Sequence, residues 1–124
     1  MEFKISFTEL SDIASAAAER SIEIAYLSED AVSLHTTKGN PFCNINIDLE
    51  FTIFELEDNK IFVNWHGGWL SRRAFKMSMA NNKKVRMKGD TLIINADFFL
   101  PKYLESFRVV SIDITEDYLS VILR

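Results

Sequence analysis

The sequence predicts an α+β protein, mainly antiparallel β. About four hairpins form a curved sheet packed against one N-terminal helix, with one or two short extra helices. Three observations carry this expectation. Apolar and polar residues alternate over long stretches, as half-buried strands require. The segments 27–34, 56–63, 87–94 and 114–121 share one layout: an apolar residue, four turn residues, then apolar residues at the first and third places after the turn. Helical periodicity is clear only near the start, so the hairpins point to a β-rich chain and not to βαβ units.

The central stretch, Asn44 to Gly68, reads as two long strands joined at Asp58-Asn59. A two-residue loop there sets Leu56 opposite Ile61 and Phe54 opposite Val63, on one side of the ribbon. Ile45, Ile47, Leu49, Phe51 and Ile53 occupy odd positions, whereas Phe54 and Leu56 break that phase. A β-bulge near Ile53-Phe54 would restore it and bring Phe51 onto the face of Trp65. The alternative is that Ile53 and Phe62 are covered from the other side. Equivalent loops elsewhere pair Leu27 with Val32, Ala25 with Leu34, Met87 with Leu92, Val85 with Ile94, Ile114 with Leu119, and Ile112 with Val121. Every pair is apolar with apolar.

In order along the chain, Phe3, Ile5 and Phe7 alternate as a first strand. Thr8 is the expected N-cap of a helix ending near Arg20, with Leu10, Ile13, Ala14 and Ala17 on its packing face and Glu9 in its first turn. Segment 36–42, with Gly39 and Pro41, reads as a connection. Segment 69–79 fits a helix with Leu70, Ala74 and Met77 on one side, or a strand; the helix is preferred. Asn81-Asn82 interrupt it. Between Asn95 and Phe107 a short helix is expected, with Asp97 as cap, Pro101 in a first turn, and Tyr103, Leu104 and Phe107 packing.

At 124 residues the chain suits one domain, 1–124, with a core large enough to need no staples. A single cysteine, Cys43, excludes an internal disulfide and suits a reducing, cytoplasmic setting, or a processed fragment of an exported protein. No export signal and no transmembrane run is visible.

Charge is the feature that points to function. Arg72, Arg73, Lys76, Lys83, Lys84, Arg86 and Lys88 lie between Trp69 and Gly89 with no acidic residue among them, leaving seven bases against all 18 acids elsewhere. With Trp69 and Met79 on the same helical face as Arg72, Arg73 and Lys76, the composition fits an interfacial helix contacting a membrane peripherally. It also fits a single-stranded nucleic-acid platform, the less favoured reading. A solvated surface, or pairing with acidic turns of the fold or of a second copy in a homo-oligomer, accounts for it equally.

The sequence carries no motif for catalysis, metals or cofactors: there is no H-E-x-x-H, no paired cysteine set and no phosphate loop. His35, His66 and Cys43 are isolated in sequence. His66, between two tryptophans and before Gly67-Gly68, reads first as a strand end.

The run from Val85 to Val121 resembles small, uncharacterised bacterial β-rich proteins. Its features are the Lys-Gly-Asp-Thr-Leu-Ile-Ile-Asn turn, the Phe-Leu-Pro-Lys-Tyr-Leu link and the closing Ile-Asp-Ile-Thr-Glu-Asp-Tyr-Leu-Ser-Val. Some of those proteins are similar to half of a tubular lipid-binding domain, in which a curved sheet wraps a helix. The resemblance implies an amphipathic, lipid-like ligand and carries no catalytic residue. The expected function is therefore non-catalytic binding of an amphipathic or anionic ligand, through the basic segment or an apolar cleft. A self-associating protein–protein module is the alternative.

Overall fold

In the computed structural model, which describes residues 1–40, 42–80 and 82–124, the chain runs β1 (Glu2–Ser6), α1 (Phe7–Ala18), β2 (Ile22–Ser28), β3 (Ala31–Asn40), β4 (Cys43–Glu57), β5 (Lys60–Gly67), α2 (Trp69–Met79), β6 (Val85–Lys88), β7 (Thr91–Asn95), β8 (Val109–Ile114) and β9 (Tyr118–Leu123). Every strand pairing is antiparallel. The architecture is α+β and mainly antiparallel, as expected. The hairpins divide between an open six-stranded sheet, in the order β2-β3-β4-β5-β7-β6, and a three-stranded sheet, β1-β9-β8.

The central hairpin sets the geometry. Asp58 and Asn59 both hold positive φ, 50° and 60°, which is a type I′ turn whose twist matches the flanking strands. Leu56 faces Ile61 and Phe51 faces Trp65. The expected Phe54–Val63 pair is replaced by Ile53–Val63, because Phe54 is itself the bulged residue and stands 50 % exposed. The first hairpin departs in the same way. Leu27 is bulged out, so Val32 pairs with Tyr26 and Leu34 with Ile24, instead of with Leu27 and Ala25. The Met87–Leu92, Val85–Ile94, Ile114–Leu119 and Ile112–Val121 pairs form as expected.

Residues 36–40 are ladder where a connection is expected: β3 stays paired with β4 as far as Asn40 opposite Cys43. Glycine is needed at Gly39, with φ 146°, because a Cβ there would sit 2.0 Å from the Cys43 carbonyl oxygen. Pro41 and Asn81 lie outside the described residues.

Helix α1 starts two residues earlier than expected. Its N-cap is Ser6, not Thr8, and Ser6 and Glu9 form a reciprocal capping box. The alanines do not make its packing face: Ala17 and Ile13 are exposed. Instead Ser11 and Ser15 lie along edge strand β2. Ser11 Oγ accepts from the Ile24 N–H and donates to its carbonyl (2.8 and 3.2 Å), and Ser15 does the same at Ile22 (2.8 and 3.0 Å). Two hydroxyls thus occupy the groups that an exposed edge would offer to another strand.

Segment 69–79 is a helix, and α2 lies across one face of the large sheet. Ser71, Ala74 and Phe75 turn inward; Leu70 and Met77, expected on one side with Ala74, point to solvent. The core beneath is Ile47, Leu49, Val63, Trp65 and Leu92. Trp65 is its hub at 1 % exposure: its ring packs 4.9 Å from Phe75, which meets Phe51 edge-on at 5.5 Å. Its indole N–H donates to the Gly89 carbonyl.

A second core, Ala96, Leu104, Val109 and Leu123, lies between the two sheets. The expected helix in 95–107 is two short 3-10 turns, Ala96–Phe98 and Lys102–Leu104, with Asn95 and not Asp97 as the first cap and Tyr103 exposed. Asn59 ties the sheets together. Its side chain accepts from the Val109 N–H at 2.8 Å and donates to Asp97, while its carbonyl accepts from the Ala96 N–H at 3.0 Å.

Candidate functional site

The basic segment folds into two groups. Trp69, Arg73 and Lys76 recur at helical spacing along the outward stripe of α2, with Leu70 and Met77 beside them. Exposure reaches 74 % at Trp69, 65 % at Met77 and 43 % at Leu70. Large apolar side chains standing in water between two cations are an interfacial composition. Met79, expected on this stripe, instead faces the sheet.

Arg72 also leaves the stripe. Its guanidinium lies over the Trp65 ring, 4.7 Å from the centroid, and its Nη2 donates to Asp90. That hydrogen bond and the guanidinium charge hold the Asp90 carboxyl below the usual carboxylate range, with Lys76 and His66 adding to the effect. A carboxylate with a lowered folded pKa contributes stability that is present above its unfolded value and lost as pH falls through the folded one. Acid unfolding of Asp90→Asn should therefore be less steep than that of the wild type below about pH 4. Parallel curves would mean that the Arg72–Asp90 pair contributes nothing to folding.

On the flank of α2 a groove opens over the edge of the core beneath it. Ile22, Leu34, Thr36, Ile47 and Leu49 floor a mainly apolar groove of about 350 Å³, walled by Ala74, Phe75, Ser78 and Met79 and closed at one end by Ala18 and Arg20. An apolar cleft between sheet and helix is therefore present, and Arg20 is the charged group at it.

The remaining bases lie around the far edge. Asn82 Oδ1 accepts the N–H groups of Lys84 and Val85, and this turn opens β6. β6 is the outer strand of the large sheet, beside β7 alone. Val85 and Met87 face the core under α2, so Arg86 and Lys88 project from the opposite face. Lys83 and Arg86 share one groove with Lys76 and another, on the outer face, with Lys60 and Phe62. Sequence reading missed Lys60, Phe62 and Arg20. The alternation of Lys60 and Phe62 against buried Val63 was the available signal, but their neighbourhood with Arg86 depends on the order β5-β7-β6.

The polar candidates are arranged by sheet register. His35 Nδ1 meets Asp48 Oδ1 at 2.6 Å, and His66 lies opposite Glu50. Cys43 sits opposite Asn40, five residues along β4 from Asp48. At about 3.4 Å per residue this keeps the thiol roughly 17 Å from the His35 row. Among the described residues no three His, Cys, Asp or Glu side chains converge to hold a metal ion, and no helix is long and apolar enough to cross a membrane.

Compared with known proteins, the chain matches no family, no curated protein and no solved structure.

Proposed function

We propose that the protein is a binding domain for an anionic, lipid-like partner, engaged through the outward stripe of α2. The observation that carries this reading is the exposure of Trp69, Leu70 and Met77 on the same stripe as Arg73 and Lys76. Apolar groups enter the interface while the cations meet its negative charge, each worth about 1 kcal/mol near an anionic surface. The groove flanking α2 supports the same ligand class, since its lining is mainly apolar and includes Arg20. The single thiol, Cys43, fits a reducing, cytoplasmic setting for such a peripheral contact.

Vesicle co-sedimentation tests the reading. Vesicles containing phosphatidylglycerol should retain the protein and neutral vesicles should not, with added salt weakening the binding. Arg73→Gln with Lys76→Gln should weaken it about 30-fold, from roughly 1 kcal/mol per charge. Trp69→Ala should weaken it while leaving the salt dependence. Equal retention of the Gln variant would remove α2 from the interface. Concentration-dependent dimerisation abolished by the same substitutions, without vesicle binding, would favour the self-association module.

A further inference from the structure

The face of the large sheet turned away from α2 bears a feature that vesicle binding by α2 does not use. The antiparallel register places Phe62 of β5, Ile93 of β7 and Arg86 of β6 in one cross-strand row, with Lys60 and Asn95 in the next. Lys83 and Lys84 overhang these rows from the turn before β6, and Phe98 closes the end. The result is a groove of about 220 Å³ with an apolar floor and four cations around it, and no carboxylate lines it.

What distinguishes the groove is the number of cations lining it, not the lack of ion pairs: among the lysines and arginines of the described residues only Arg72, with Asp90, and Arg108, with Asp97, hold a carboxylate. Among the described residues Lys60, Lys83, Lys84 and Arg86 have no ion-pair partner, although they converge on one groove. Like charges so gathered repel, and a bound anion removes that repulsion. Asn95 Oδ1 accepts the Asp97 N–H, which turns the amide toward a fixed orientation at the groove and leaves its NH₂ to donate.

Further aromatic rings adjoin this lining. Phe62 carries Phe54 against its ring at 6.2 Å, and Lys84 Nζ lies 5.9 Å from the ring of half-exposed Phe99. Aromatic faces beside cations accept a flat ring by stacking and a phosphate by charge. Four cations are more than a monocarboxylate needs, whereas a phosphate offers several oxygens to them.

We propose that this outer groove is a binding site for a small aromatic phosphate, of the size of a nucleoside monophosphate. The ring packs over Phe62, Ile93 and Phe98, and the phosphate meets Lys84, Arg86 and their neighbours. Lys83 and Arg86 also line the groove beside Lys76, but the site uses no residue of the α2 stripe itself, so the two readings are tested separately.

Amide chemical shifts recorded during titration of the full chain with adenosine monophosphate test it. Saturable shifts should concentrate at 60–62, 84–86 and 93–98, with α2 unmoved. Adenosine and inorganic phosphate should each bind more weakly than the monophosphate. Lys84→Gln with Arg86→Gln should weaken binding at least about tenfold, because hydrogen bonds to charged groups are lost. Phe98→Ala, at an exposed position, should weaken adenosine monophosphate and leave inorganic phosphate unchanged; the spectrum of each variant reports that it is folded. The proposal is overturned by shifts that fail to saturate at millimolar ligand, by shifts centred on α2, or by equal binding of the Gln variant. It is also overturned if phosphatidylglycerol vesicles move these amides and the monophosphate does not, since the face then belongs to a lipid surface.

Discussion

Trp65→Ala should lower the unfolding free energy by about 3–5 kcal/mol, the range for truncating a buried large aromatic. Trp65 is the largest side chain in the core and 1 % exposed, and Phe75, Val63, Leu49 and Leu92 cannot close over the volume it leaves. The loss extends past the cavity. The Gly89 carbonyl loses the indole donor, and Arg72 loses the ring beneath its guanidinium. Urea unfolding with an unchanged m-value is the measurement. A cost under about 1 kcal/mol would mean that α2 is not seated on this ring.

Asn59→Ala should cost about 2–5 kcal/mol, from two separable causes. A left-handed backbone at a residue with a Cβ costs roughly 1–2 kcal/mol, which asparagine offsets with local hydrogen bonds and alanine does not. The Val109 N–H, buried at the joint between the sheets, loses its acceptor, worth about 1–3 kcal/mol. Asn59→Gly separates the two, since glycine adopts φ 60° without strain but cannot bridge to Val109 and Asp97. It should recover part of the loss only. Full recovery by glycine would show that the turn conformation matters and the bridge between sheets does not.

The elements that were legible in the sequence were those fixed by local chemistry. The Asp58-Asn59 turn, the Met87–Leu92 and Ile114–Leu119 pairs and the 69–79 helix follow from turn residues and periodicity within one window. The bulge near Ile53-Phe54 was legible as a broken phase, but which residue bulges was not, because either choice restores Phe51 to Trp65. Leu27 gave no such warning, since its hairpin keeps apolar pairing in either register. At α1 the alanines misled: helix packing was read as apolar contact, whereas the contact is two serines bonding a strand edge, which hydrophobic periodicity does not register.

The site was partly legible for the same reason. The run of seven bases stood out in sequence, but strand alternation points Arg86 and Lys88 away from the face that α2 covers, and Arg86 meets Lys76 only around the β6 edge. Arg72 reads as one more surface base until the β6-β7 turn brings Asp90 within reach of its guanidinium. Lys60 and Phe62 belong with Arg86 only through the β5-β7-β6 order, a long-range pairing that no window contains.

The central claim, that the α2 stripe enters an anionic interface, is tested most directly by the emission of Trp69. Trp65 is buried and supplies a constant background, so a change in the spectrum reports Trp69. Titration with phosphatidylglycerol vesicles should shift the emission to the blue, lipids brominated on their chains should quench it, and Trp69→Phe should abolish both responses. Emission that stays at its aqueous position, or shifts equally with neutral vesicles and with Arg73 and Lys76 replaced by glutamine, would contradict the account.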